Sequence, residues 1–289
     1  MNPPNPPKDH HYIPQFMLNG WVNPSTNELL RYTRPIPGKV MLARKPTTAT
    51  GFEEFLYEMR GAPKEIAQML ETDFFQKIDN NAKKPYSMLI ENEYMSMTDQ
   101  DKNHWVIFIL TMMMRTPQYF DSYRDKSYGK FDQTVKTVLE NFQNGNDNPE
   151  LENIKKLIQE NKEIISEYVT IQCFPQISQN ISLGNKILRM LWTVMTVEDG
   201  TILISDKPIL LKMPIEKTGG ILAMPLTSNK VFFAVNDKET YARLEAIKLS
   251  RIVNIINKLI SRRAEKLIVA KNDKLDSFIR INFGANIPN

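Results

Sequence analysis

The chain has 289 residues, of which 42% are hydrophobic and 24% charged, with 37 basic and 33 acidic side chains and a net charge of +4. This balance excludes intrinsic disorder, which needs lower hydrophobicity and higher net charge, and a single cysteine, Cys173, excludes a disulfide-stapled scaffold. A membrane span takes about 20 consecutive apolar residues, and the best run, from Trp105 to Met114, is half that.

The first nine residues contain four prolines and predict an extended arm. They lack the basic-then-apolar pattern of a secretory signal, and no lipidation signature is visible. With one thiol, the expected compartment is the cytoplasm. His10 to Leu18 reads as a β-prone start broken by Pro14. Strands are predicted at Leu29 to Arg34 and Lys39 to Arg44, separated by Pro35, Pro37 and Gly38. Between Pro63 and Asn80 the apolar positions Ile66, Ala67, Leu70, Phe74 and Ile78 recur at helical spacing. Asp99 to Thr116 predicts a buried central helix capped by Thr98 and closed by Pro117. Helices are also predicted at Phe131 to Asn144, Glu150 to Val169 and about Leu183 to Val197. A β-rich stretch follows from Thr201 to Leu211, with more strand at Ala223 to Leu226 and Val231 to Val235. A long helix from about Lys238 to Glu265 and a strand at Leu267 to Ala270 come last.

No 20- to 50-residue period repeats, which argues against solenoids and propellers. Strands near both ends with helices between predict an α+β fold, predominantly helical, as a single domain. Its small mixed or antiparallel sheet is built from N-terminal and C-terminal segments. The expected division is an arm over residues 1–9, one domain over 10–271 and a tail over 272–289.

Five segments, in order, carry a family resemblance. They are His10-His11-Tyr12-Ile13-Pro14-Gln15-Phe16, Arg115-Thr116-Pro117, Leu191-Trp192, Ile204-Ser205-Asp206-Lys207-Pro208 and Met224-Pro225-Leu226-Thr227, with Asn257, Ala264 and Val269 behind them. Together they resemble the bacterial family filed as domain of unknown function 4238, over nearly the whole chain. Lys207 stands where that family usually has Asn, and Met112 where a Gln often precedes the Arg-Thr-Pro element. The resemblance implies an architecture and a set of positions rather than an activity.

Chemistry is sought first at the histidines, since imidazole is the usual acid/base near neutral pH and the commonest metal ligand. His10 and His11 would point to opposite faces of a strand, with Gln15 sharing the face of His11 if the segment stays extended. The bland alternative is a hydrogen-bonded pair anchoring the arm. Asp206, at a strand end, suits a cation or polar substrate, or else a side-chain turn before Pro208. Ser205 lacks the surroundings of a nucleophile elbow. Arg115 suits a phosphate or carboxylate clamp, or an internal salt bridge with Glu71. His104 lies on the same helical face as Arg115 but about 16 Å away. A Mg²⁺ or Mn²⁺ site is drawn from His11, Glu71 and Asp206, whereas zinc-ribbon, His-Glu-x-x-His and phosphate-loop patterns are absent.

Charge is unevenly spread. From Asp237 onward there are 11 basic and 6 acidic residues, a balance of +5, against −1 for everything before it. On an ideal helix Lys248, Arg251, Lys258, Arg262 and Lys266 form one stripe about 80° wide, read as a solvated face or as a contact for nucleic acid or another polyanion. The functional expectation is a phosphodiester- or nucleotide-directed hydrolase, of the kind of a metal-dependent nuclease in bacterial defence or a toxin. His10, His11, Gln15, Arg115 and Asp206 would form its catalytic group. The competing expectation is a non-catalytic module that binds nucleic acid, a nucleotide or a protein. A homo-oligomer or protein partner is compatible with either, and no membrane is expected.

Overall fold

Residues 7–36, 38–143, 149–198, 200–212 and 214–285 are described by the computed structural model. It is 53% helix and 20% strand, which makes the class α+β with helix predominating. From the N-terminus come strand β1 (Asp9–His11), the short helix α1 (Gln15–Leu18), and strands β2 (Leu29–Ile36), β3 (Lys39–Lys45) and β4 (Phe52–Glu54). Next are helices α2 (Lys64–Ala67), α3 (Gln76–Ile90), α4 (Asp99–Met114), α5 (Pro117–Gln143), α6 (Pro149–Glu160), α7 (Lys162–Ser178) and α8 (Ile181–Leu188). Strands β5 (Leu191–Thr196), β6 (Ile204–Ser205), β7 (Leu210–Lys212), β8 (Ile221–Thr227) and β9 (Lys230–Val235) follow. Helices α9 (Lys238–Ala246) and α10 (Leu249–Arg263), strand β10 (Leu267–Ala270) and helix α11 (Asp276–Asn282) come last. Residues 1–6 of the proline-rich arm and residues 144–148 of the loop after α5 lie outside the described residues. No helix among the described residues is long and apolar enough to cross a membrane.

The chain forms two compact units. One takes the chain up to His10, Glu54–Lys77 and Pro117–Gln179; the other takes His11–Glu53, Ile78–Thr116 and the chain from Asn180 onward. In the first unit α5 packs on α7 around four fully buried rings, Tyr57, Phe75, Phe120 and Phe174. Their centroids stand 4.4 to 5.8 Å apart, within the range where tilted aromatic pairs attract beyond their buried area. Where one helix was predicted over Pro63 to Asn80, a π-helical segment (Leu70–Phe75) separates α2 from α3. Its wider turn brings residues five apart onto one face, so Leu70 and Phe75 are buried together.

The second unit holds two antiparallel sheets. The order β3-β2-β10-β6 unites N-terminal and C-terminal segments as expected, with Ile268 opposite Tyr32 on one side and Ser205 on the other. The order β5-β9-β8-β7 makes the second sheet. Tyr32, Phe233, Ile256, Ile260 and Ile268 join one buried cluster. Helix α4 begins as predicted: Thr98 Oγ1 accepts from the Asp101 N–H while Asp101 accepts from the Thr98 N–H, a reciprocal cap. Lys84 and Thr98 hold the Asp101 carboxyl down at about 2.

Four sequence expectations are corrected. The predicted helix at Leu183 to Val197 ends at Leu188, because Trp192, Thr193 and Val194 pair across to β9 instead. The predicted helix at Phe131 to Asn144 starts earlier, since Pro117 closes one helix and opens α5, where its missing N–H costs nothing. The C-terminal helix breaks at Ile247 and Lys248, both extended, which lets Leu244 and Ile252 each reach the core. Finally, the segment read as a tail contains α11, which buries Ile279, followed by buried Phe283.

Candidate functional site

His10, Arg115 and Asp206 each make hydrogen bonds within the fold. His10 is fully buried. Its Nδ1 accepts from the backbone N–H of Tyr57 at 2.9 Å, its Nε2 lies 3.2 Å from the Pro7 carbonyl oxygen, and its ring stacks on that of Tyr57. An accepting Nδ1 places the ring proton on Nε2, so both nitrogens serve the backbone. His11 is half-buried and tilted against Phe52. Pro14 does not merely interrupt the strand: it precedes α1, so Gln15 starts a helix and is exposed rather than sharing an extended face with His11. The motif is seated by Gly51, whose carbonyl accepts from the N–H groups of both Tyr12 and Ile13. Gly51 has φ +75°, which favours glycine, and a Cβ there would lie a tight 3.1 Å from that of Ile13.

Asp206 has a comparable architectural task. It is buried, and its carboxylate accepts from the backbone N–H groups of Glu265, Lys266 and Leu267 at 3.1 to 3.3 Å, tying the end of β6 to the start of β10. Ser205 Oγ accepts from the Lys207 N–H in the adjoining turn. Burial pushes the Asp206 carboxyl up to about 6, with the three backbone donors pulling the other way and the Glu265 carboxylate adding a little. Because the folded protein holds this proton more tightly than the unfolded chain, the contribution of Asp206 to stability is full below the ordinary value of 3.8 and declines as pH rises through about 6. The steepest loss is about 1.4 kcal/mol per pH unit. Urea unfolding of the parent and Asp206→Asn between pH 4 and 7 should show this slope in the parent alone. An unchanged slope in the variant would assign it to another group. At pH 4 the variant should cost about 1–3 kcal/mol, since an amide supplies one acceptor oxygen to three donors, and the gap should narrow as pH rises through about 6.

Arg115 sits just past α4 and is 1% exposed. Its Nη1 and Nη2 donate to the two carboxylate oxygens of Asp79 at 2.7 and 3.2 Å, a bidentate pair. Met112, the departure from the family pattern, places Sδ 3.6 Å from the same Nη1. Glu71 is buried in the π-helical segment of the first unit, while His11, Arg115 and Asp206 belong to the second. Among the described residues no three His, Cys, Asp or Glu side chains converge as metal ligands. None of the four cavities described is lined by His10, His11, Gln15, Glu71, Arg115 or Asp206. Tyr12 is the residue of the first motif that reaches one, a space of about 200 Å³ shared with Arg31, Glu53 and Lys266. That is below the size of ordinary ligand sites, which start near 300 Å³.

The basic stripe is shortened because α10 spans only Leu249–Arg263. Arg251, Lys258 and Arg262 lie on α10, but Lys248 precedes the helix and Lys266 follows it, paired with Glu53. The charge concentrates elsewhere, around a cavity of the second unit of about 690 Å³. One face of α10, with Ile252, Ile255, Ile256 and Leu259, forms one wall; Leu210, Ile221 and Phe233 of the sheet form the other. Arg34, Lys207, Lys212, Arg262 and Arg263 also line it, against a single carboxylate, Glu265. Lys207 pairs with Glu265. Among the described residues no carboxylate lies within ion-pair distance of Arg34, Lys212, Arg262 or Arg263. Arg34 donates to the Phe283 carbonyl at 2.9 Å and Arg263 to that of Ile209 at 3.1 Å, so both guanidinium groups are held in place. Sequence reasoning missed this site because its lining comes from segments around residues 34, 207–212, 221–233 and 244–265. The one legible signal was the positive balance after Asp237.

Neither the curated proteins nor the solved structures yield a match to the chain. A family model does match, over residues 9–274, and it covers every motif on which the resemblance rested. The chain belongs to the family described as "Protein of unknown function (DUF4238)".

Proposed function

We propose that the protein is a binding module for a small anionic ligand rather than a nuclease, with the α10 cavity as its site. The observation that carries this reading is the 690 Å³ cavity with five cations and one carboxylate on its lining. Its volume falls within the roughly 300–1,000 Å³ of small-molecule sites, which are mainly apolar with a few fixed polar groups. Arg262 and Arg263 also suit the negative end of α10, but a helix end amounts to about half a charge and leaves most of theirs for a ligand. The hydrolase reading draws on His10, Asp206 and Arg115, and each would first have to leave a backbone or carboxylate partner.

The test is thermal unfolding of the full chain with nucleoside monophosphates and alkyl carboxylates, run beside a nucleic-acid cleavage assay with Mg²⁺ or Mn²⁺. An anion at about 100 times its Kd adds about 2.7 kcal/mol to stability, and this gain should be absent in Arg262→Glu. Cleavage should be undetectable. Metal-dependent cleavage that disappears in His11→Ala would sink the proposal in favour of the nuclease.

A further inference from the structure

The lining of the same cavity narrows the ligand class, and this step rests on the binding reading above. We infer that the site takes an amphipathic anion: an unbranched aliphatic chain ending in a carboxylate or phosphate. The walls are aliphatic, with Ile252, Ile256 and Leu259 of α10 facing Leu210 and Ile221 of the sheet. Phe233 is the one aromatic ring on the lining, and it is only 3% exposed. A nucleobase is ordinarily held by stacking on aromatic or guanidinium planes and by edge hydrogen bonds. The aliphatic side chains that make up these walls offer neither, and of the three guanidinium groups on the lining Arg34 is held by the Phe283 carbonyl and ring and Arg263 by the Ile209 carbonyl, whereas removing methylene groups from water needs only apolar surface. Ile255 also lines the cavity yet is 44% exposed, so the apolar surface continues to the rim, where an inserted chain would cover it.

The head group is set by the charge. Lys212, Arg262 and Arg263 line the cavity with the aliphatic residues, and among the described residues none of them has a carboxylate partner. Arg262 donates through Nε to Asn282 Oδ1 at 3.4 Å, which leaves its terminal nitrogens for an oxyanion. An alkyl chain without charge would forgo these contacts, and a compact anion without a chain would leave the walls unfilled. Only a ligand with both parts uses both features.

Calorimetric titration of the full chain with decanoate, decyl phosphate, decanol and adenosine monophosphate tests the inference. At least one of the two alkyl anions should saturate a single site, and the tighter of the two identifies the head group. Decanol should bind at least tenfold more weakly. Lys212→Glu with Arg262→Glu should weaken the alkyl anion more than tenfold and leave decanol unchanged; Ile255→Asp should weaken both. All three substituted positions are exposed or half-exposed, and circular dichroism confirms that each variant folds before it is titrated. Adenosine monophosphate binding more tightly than decyl phosphate would overturn the aliphatic inference while sparing the anion-binding reading. Decanol matching the anions would overturn the role of the cations. Failure of all four probes would overturn both.

Discussion

Replacing Arg124 by Met should destabilise the protein by about 3–5 kcal/mol, the cost of leaving a buried charge without its partner. Arg124 and Glu167 have side chains only 4% and 1% exposed, and Arg124 Nη2 donates to Glu167 Oε1 at 2.8 Å. The same nitrogen donates to the Glu58 carbonyl at 2.9 Å, and the guanidinium lies over the Phe120 ring. Glu167 also accepts from the Arg60 N–H and the Tyr128 hydroxyl. Burial and the bond to Glu167 push that hydroxyl up to about 12, so it stays a donor at neutral pH. The network therefore joins α5, α7 and the segment before α2 through charges that water does not reach. Whole-protein stabilities are only about 5–15 kcal/mol, so this single change removes a large share. Exchanging both partners, Arg124→Met with Glu167→Leu, should restore most of the loss, since an apolar pair of similar volume carries no desolvation cost. Urea unfolding of the two singles and the double gives the coupling directly. A single substitution costing under about 1 kcal/mol would show that the pair is hydrated in solution.

Asp79→Ala should also destabilise the protein, by about 1–3 kcal/mol, because it strips the bidentate carboxylate from a guanidinium that is 1% exposed. Arg115→Met should cost less, since Asp79 is 21% exposed and can recover water contacts that the buried arginine cannot. Arg115→Lys should not rescue, because an ammonium cannot reproduce two parallel bonds. The ordering separates a structural from a ligand-holding role for the Arg-Thr-Pro element. Were Arg115 a clamp, Arg115→Met would spare the unfolding midpoint and abolish anion binding. The expected result is the reverse: a lowered midpoint, with binding at the α10 cavity retained in whatever fraction folds.

How far the sequence could be read depended on whether a signal was local. The Thr98 N-cap, the buried all-round face of α4 and the strands from Leu29 to Arg44 were legible because capping and periodicity act within a few residues. The motif series placed the chain in its family for the same reason. What those motif residues do was not legible. Trp192 donates to the Ile187 carbonyl, Asn257 bridges Thr201 and Leu203, and the Thr227 backbone packs so close to Gly20 that a Cβ there would meet Thr227 Cα at 2.9 Å. The same residue types in the same pattern suit catalysis equally well, and only their partners decide.

The sequence by itself determined the α+β class, the union of N-terminal and C-terminal strands in one sheet, and the positive excess after Asp237. The tertiary structure decided that His10, Arg115 and Asp206 face backbone or carboxylate partners, because those partners lie 36 to 61 residues away in the chain. It also decided that the C-terminal helix breaks at Ile247 and ends at Arg263, leaving Lys266 off α10 and placing Arg262 on one cavity lining with Arg34, Lys207 and Lys212. A local pattern records which side chains are present. Folding alone sets which of them meet, since that depends on long-range packing that no short window of residues contains.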